Sequence, residues 1–128
     1  MNPLRSCGGC QPCRRGQLHV CERLGLLGID APGGAAEQVL VPIDHLVPLP
    51  TGTDLRQAAL VEPIAVGIRA VRRSRMRIGD TVHVIGAGPI GVIVASLAKR
   101  AGAGALTVSE TAPRRIATAR NFGLTVVE

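Results

Sequence analysis

Aromatic residues are almost absent from this chain of 128 residues, which contains a single Phe (Phe122), no Tyr and no Trp. Any hydrophobic core must therefore be built from Ala, Val, Leu and Ile. Domains that bind nucleic acid by stacking bases on aromatic side chains are disfavoured, because the chain lacks those platforms. With 46% hydrophobic and 19% charged residues, the composition is typical of a globular protein and argues against a largely disordered chain.

Long apolar segments are also missing. The longest run lies between Val84 and Ala98, which is shorter than the roughly 20 residues that cross a bilayer, and three glycines and a proline interrupt it. The first seven residues contain no apolar stretch of the kind found in a signal peptide. We therefore expect no membrane partner and a cytoplasmic location.

Acidic residues are scarce: nine Asp and Glu face fifteen Lys and Arg, which gives a net charge of +6. Such a balance is compatible with nucleic-acid binding. The arginines, however, are spread from Arg5 to Arg120, with one dense stretch at residues 69–77. A charge run of this kind is usually a solvated helix face, so we expect no nucleic-acid partner.

All four cysteines fall in one short window, with the spacing C-x2-C-x2-C-x7-C: Cys7, Cys10, Cys13 and Cys21. Four thiolates spaced in this way converge on one ion and suit tetrahedral Zn²⁺. Disulfides would need an oxidising compartment, and a ferredoxin-type iron–sulfur cluster would need its fourth cysteine three residues further on. The window therefore predicts a zinc site that is structural, because four protein ligands leave no open position.

The chain divides into an irregular N-terminal part and a regular C-terminal part, with a predicted boundary between residues 62 and 63. Residues 39–42 and 45–48 favour short β-strands at a sheet edge. Asp54 and Gln57 predict a helix start near Leu55, and Pro63 should interrupt that helix or restart it. A second helix is expected over residues 64–74, closed by Gly79.

From residue 81 onward, predicted strands and helices alternate. Strands are expected at 81–85, 106–108 and 125–127, and helices at 89–100 and 113–121. This alternation indicates βαβ units and a parallel sheet of the α/β class. We interpret His83, in the first of these strands, as a core histidine with satisfied hydrogen bonds.

A glycine-rich turn links the first strand to the following helix and has the pattern G-x-G-x-x-G: Gly86, Ala87, Gly88, Pro89, Ile90 and Gly91. In this context the turn predicts a dinucleotide site, in which the glycines admit a pyrophosphate and the helix N-terminus holds its charge. Glu110 follows at the end of the next strand, where a carboxylate binds the ribose hydroxyls.

Glu110 favours NAD over NADP, because a carboxylate repels a 2′-phosphate. Arg114 and Arg115 weaken that preference, since arginine is the residue that accommodates a 2′-phosphate. NADP therefore remains the second alternative.

Several motifs in order resemble the zinc-containing medium-chain alcohol dehydrogenases, in particular the sorbitol, L-threonine and butanediol dehydrogenase branch. Besides the cysteines and the glycine turn, they are Gly-Gly-Ala-Ala-Glu at 33–37, Val-Pro at 41–42, Pro-Leu-Pro at 48–50 and Ala-Ala-Leu-Val-Glu-Pro at 58–63. The resemblance implies a GroES-like, β-rich catalytic domain with a zinc lobe, followed by the first half of a Rossmann doubly wound sheet. It also implies hydride exchange between a secondary alcohol and a nicotinamide.

The resemblance also assigns residues. The four cysteines match the structural zinc ligands, and Glu62 matches the last ligand position of a catalytic zinc. The alternative for Glu62 is an exposed glutamate at a helix end. Arg115 lies where the family often has a basic residue beside the ribose.

The family carries a cysteine and a His-Glu pair upstream of the cysteine lobe, and this sequence has neither. The resemblance therefore predicts an internal piece of a homo-oligomeric dehydrogenase for a small alcohol, inactive by itself. A non-catalytic remnant that binds zinc and some nucleotide is an alternative, and a zinc module for nucleic acid is a third.

Overall fold

The computed structural model describes all residues from Met1 to Glu128. The chain forms two compact units, Met1–Thr51 and Gly52–Glu128. The sequence placed the boundary at 62/63. In the structure that point falls inside the second unit, in the first turn of a helix.

The first unit is mostly irregular. Strand β1 (Leu4–Arg5) pairs antiparallel with β2 (Gly25–Leu26), and helix α1 (Gln11–Arg14) and a short 3-10 helix (Leu18–Val20) lie between them. The predicted strands at 39–42 and 45–48 are absent, and a 3-10 helix (Ile43–His45) lies there instead. A strand needs a partner for its backbone groups. Only one backbone hydrogen bond reaches this segment from the rest of the chain, from the Asn2 amide to the His45 carbonyl at 2.7 Å.

Two helices open the second unit. Helix α2 (Leu55–Ala58) begins at the predicted residue and is capped by Asp54, whose side chain accepts a hydrogen bond from the Arg56 amide at 2.8 Å and not from that of Gln57. Helix α3 (Val61–Ser74) begins three residues earlier than expected. Pro63 lies in its first turn, where a missing N–H breaks no intrahelical bond. The helix is followed by Arg75 in a left-handed conformation, four residues before the expected Gly79.

The rest of the unit is a parallel three-stranded sheet with the order β3-β4-β5 and two helices between the strands. The strands are β3 (Thr81–Ile85), β4 (Ala105–Ser109) and β5 (Thr125–Val127), and the helices are α4 (Pro89–Arg100) and α5 (Pro113–Asn121). Both helices have the predicted bounds. The α/β class with a half-Rossmann sheet is therefore confirmed.

The core of this unit consists of small and aliphatic side chains, as the lack of aromatics requires. Ala95 on α4, Val108 on β4 and Ala119 on α5 are fully buried, whereas Phe122 is 64% exposed. Because Ala95 and Ala119 have no side chain beyond Cβ, the two helices can pack closely on the sheet.

The two remaining expectations differ in outcome. The arginines of residues 69–77 are exposed, as a solvated helix face requires. The interpretation of His83 as a core residue is wrong, because its side chain is exposed on the sheet surface. Its ring nitrogens lie 2.8 Å from Thr107 Oγ1 and 3.2 Å from Ser109 Oγ, so the satisfied hydrogen bonds are present but outside the core. No helix is long and apolar enough to cross a membrane.

We predict that Gly67→Ala destabilises the second unit. Gly67 is buried where α3 meets α4, and a Cβ there would lie 2.7 Å from Ile93 Cγ2 and 2.8 Å from Leu97 Cδ1. Overpacking of about 1–3 kcal/mol should exceed the gain of about 1 kcal/mol in helix propensity. Urea unfolding measures the difference, with Ala65→Gly on the exposed face as the propensity control. A Gly67→Ala variant more stable than the wild type would contradict the close packing.

Candidate functional site

The four cysteine thiols converge in the first unit. Their sulfur atoms all lie within 4.8 Å of one another. Cys10 caps α1, Cys13 lies within that helix, and Cys21 follows the 3-10 helix, so the tight turns of this lobe bring distant positions together. Cys13 and Cys21 are buried, each 7% exposed.

Backbone amides surround the thiols. The amides of Cys7 and Arg23 both donate to Cys21 Sγ at 3.3 Å. Hydrogen bonds from the backbone of Cys10 and Gly9, together with the Arg23 side chain, lower the pKa of the Cys7 thiol to about 6. Burial among the other sulfurs raises the pKa of Cys13 to about 12.

This donor set fits zinc. A tetrahedron with Zn–S bonds of roughly 2.3 Å has sulfur–sulfur separations of about 3.8 Å, and Cys10 Sγ lies 3.9 Å from Cys21 Sγ. Four soft ligands that are partly prepared as thiolates favour Zn²⁺ over hard cations. Because all four positions are protein ligands, the ion would hold the lobe together without activating water.

The glycine turn lies at the carboxyl end of β3. Gly86 has a φ of 94°, a conformation that favours glycine, and its amide donates to the Ser109 carbonyl at 2.7 Å. A Cβ on Gly91 would collide with the carbonyl oxygen of Gly86. Gly88 caps α4, and Pro89 opens it. The turn is therefore in contact with the helix start, the arrangement that a pyrophosphate requires.

The carboxylate of Glu110 joins this turn to the start of α5. Its Oε2 accepts from the Ala87 amide at 3.0 Å, and its Oε1 accepts from Thr111 and Ala112 at 2.9 and 3.0 Å. The side chain is 7% exposed. The backbone bonds from Ala112, Thr111 and Ala87 lower the pKa of Glu110, with a smaller contribution from the charge of Arg115.

Of the two arginines on α5, Arg115 approaches the carboxylate. Its Nη1 lies 3.7 Å from Glu110 Oε2, and its side chain is 62% exposed. Arg114 is exposed and forms no ion pair with Glu110. The structure thus brings the glycine turn, Glu110 and Arg115 together at one edge of the sheet.

Glu62 differs from these residues because it belongs to no cluster of functional groups. It is exposed in the first turn of α3 and joins no cluster of three or more potential metal ligands. A catalytic zinc needs about three protein ligands, so the residues present do not form that site.

Sequence reasoning missed two contacts. It assigned Glu110 to a ribose but not to the Ala87 amide, and it gave Arg23 no role. The one available signal for Arg23 was its position two residues after Cys21. For Glu110, the available signal was its place two residues before Ala112, the N-cap of α5. The alanine side chain cannot accept a hydrogen bond, so the amides at the helix start need another acceptor.

Comparison with known proteins agrees with this geometry. Residues 1–51 match the alcohol dehydrogenase GroES-like domain. The chain is 43% identical to a 2-dehydro-3-deoxy-L-galactonate 5-dehydrogenase of Pseudoalteromonas atlantica, over 90% of this chain and 34% of the relative. It is 42% identical to the (R,R)-butanediol dehydrogenase of Saccharomyces cerevisiae, over 91% of this chain and 31% of the relative.

Solved structures of dehydrogenases are also similar to this chain. An Escherichia coli alcohol dehydrogenase complexed with NADH superposes with a TM-score of 0.85 at 30% identity, covering 98% of this chain and 38% of that one. A zinc-binding dehydrogenase of Sinorhizobium meliloti bound to NADP superposes with a TM-score of 0.85 at 35% identity, covering 97% and 36%.

The first unit carries a cysteine lobe that fits zinc, and the second is a half-Rossmann unit. This combination is typical of dehydrogenases that use zinc and a dinucleotide. In sequence the chain is similar to zinc-containing medium-chain alcohol dehydrogenases, and its first 51 residues match their GroES-like domain. It spans about a third of the length of the curated relatives it matches.

We predict about one zinc per chain for protein purified under reducing conditions, because four converging thiols complete a tetrahedral site. Cys10→Ser should lose most of that zinc, and Ser6→Ala, beside the cluster, should keep it. Elemental analysis measures both. Full zinc content in Cys10→Ser would show that the ion is held elsewhere.

Glu110 should make stability depend on pH in the acid range. Its pKa in the folded protein is lower than its ordinary value of 4.5, so its contribution is complete above that value and is lost as the pH falls through the folded pKa. Glu110→Gln should therefore be less stable than the wild type at pH 7, and the difference should shrink in acid. Glu128→Gln, which alters an exposed partner of Arg120, is the control. Thermal unfolding from pH 3 to 7 tests this, and a constant difference would contradict it.

Proposed function

We propose that the chain is part of an NAD-dependent dehydrogenase for secondary alcohols, with Cys7, Cys10, Cys13 and Cys21 holding a structural zinc. The observation that carries this proposal is the joint placement of Glu110 and the glycine turn at one edge of the sheet. The bound nicotinamide would accept a hydride from the alcohol carbon.

In this proposal, residues of the second unit bind the adenosine end of the dinucleotide. The turn from Gly86 to Gly91, with Pro89 and Ile90 at the helix start, faces the pyrophosphate. The Oε2 atom of Glu110 accepts from a ribose hydroxyl, and Arg115 lies beside it. Oε1 already accepts from two backbone amides and Oε2 from one, so Oε2 is the oxygen with more capacity to accept from a ligand.

The names of the relatives support a substrate class. Those compared above act, by their names, on a sugar acid and on a vicinal diol, and both contain secondary alcohols. We therefore propose a polyol, a diol or a threonine-like alcohol as the substrate. We further propose a cytoplasmic homo-oligomer without a nucleic-acid partner.

Glu62 is proposed as a ligand of a catalytic zinc. It belongs to no cluster of three or more potential ligands, and a catalytic zinc needs about three protein ligands. We accordingly expect no alcohol oxidation from these 128 residues by themselves. A non-catalytic remnant that keeps zinc and weak nucleotide affinity remains the second candidate, because the lone Glu62 is also what a remnant would show.

Nucleotide binding tests the proposal. We expect the purified chain to bind NAD weakly, because a complete dinucleotide site spans two mononucleotide halves, and to bind NADP more weakly still. Arg115→Ala should reduce NADP binding more than NAD binding, because arginine is the group that accommodates a 2′-phosphate. Arg114→Ala is the matched control. Titration calorimetry measures the affinities of the wild type and of both variants for each nucleotide.

Two outcomes would contradict it. Tighter binding of NADP than NAD by the wild type would transfer the cofactor assignment from Glu110 to the arginines. The absence of binding by either nucleotide at millimolar concentration would remove the glycine turn from the site.

A further inference from the structure

Arg23 contacts the cysteine cluster through both its main chain and its side chain. Its amide donates to Cys21 Sγ at 3.3 Å. Its side chain lines one hollow with Cys7, and its hydrogen bond to that thiol is among the causes that lower the pKa of Cys7. Cys7 and Cys21 lie at opposite ends of the cysteine window. Arg23 therefore connects the first and last sulfurs of the cluster.

The charge of Arg23 acts on more than one sulfur. Its guanidinium interacts electrostatically with Cys7, Cys21 and Cys10. Four thiolates around a divalent ion leave a net charge of about −2 on the cluster. The positive charge of Arg23, which is exposed to solvent, offsets part of that negative charge.

The other arginines of the lobe do not have this arrangement. Arg14 uses its Nε to donate to the Gly9 carbonyl at 2.8 Å. Arg15 is exposed, as Arg23 is, but it is not among the groups that shift the pKa values of the thiols. Arg5 lines the same shallow hollow of about 490 Å³ as Arg23 and Cys7, but no bond from Arg5 to a sulfur is recorded. Arg23 is thus set apart by contact and not by charge alone.

We infer that Arg23 is a positioning residue for the structural metal. By holding Cys7 Sγ from outside the coordination shell and offsetting the negative charge of the cluster, it slows the loss of zinc. This inference rests on the proposed zinc site. Outer groups that hydrogen-bond to metal ligands commonly change metal affinity by about 10–100-fold.

Release of zinc to excess chelator tests the inference on the whole chain. Arg23→Met removes the charge and the fork of donors but keeps the backbone bond to Cys21 Sγ. We expect its zinc to be released about tenfold faster than that of the wild type. Arg23→Lys should lie between the two, because it keeps the charge and loses the fork. Arg15→Met, the matched loss of charge in the same lobe, should release zinc at the wild-type rate.

The absorption spectrum of the Co²⁺-loaded protein reports whether each variant still forms the four-thiolate site. If Arg23→Met does not form it, the comparison of Arg23→Lys with the wild type decides the inference. Equal release rates for wild type and Arg23 variants would overturn it, as would an equal acceleration in Arg15→Met. A wild type that binds neither Co²⁺ nor Zn²⁺ would instead refute the proposed zinc site.

Discussion

The second unit depends on close approaches between backbone segments that one added methyl group would block. Gly91 packs directly on the carbonyl of Gly86, and Gly67 places α3 against side chains of α4. The fully buried Ala95 and Ala119 serve the same purpose between the helices and the sheet. Because the chain has almost no aromatic residues to fill the space between its elements, dense packing is reached by small residues that bring the elements close together. The glycine turn is held at the edge of the sheet by this packing.

The two candidate sites are held by different forces. The glycine turn and Glu110 are positioned by a sheet with its own apolar core, so their geometry follows from packing and backbone pairing. The cysteine lobe has two short paired strands, and its buried apolar groups are Cys13 and Cys21. We therefore expect its order to depend on the proposed zinc, because metal binding supplies folding energy where a core cannot.

Sequence patterns predicted the regular part of the fold well. The bounds of α4 and α5 were correct because each begins at a proline in a position where the missing N–H costs nothing. The strands at 39–42 and 45–48 were wrong because β propensity does not supply a pairing partner. The interpretation of His83 was wrong for a related reason: alternation along β3 assigns it to a face, but the next elements decide whether that face is covered.

By itself, the sequence determined the residue types of both sites, because cysteine spacing and a glycine pattern between a strand and a helix are local properties. It also determined the small-residue core through its lack of aromatics. Only the tertiary structure decided which partners these residues have. Glu110 is 23 residues from the Ala87 amide that it accepts from, and Arg23 reaches back across the lobe to Cys7. Such contacts depend on how the chain returns on itself, and no local pattern contains that information.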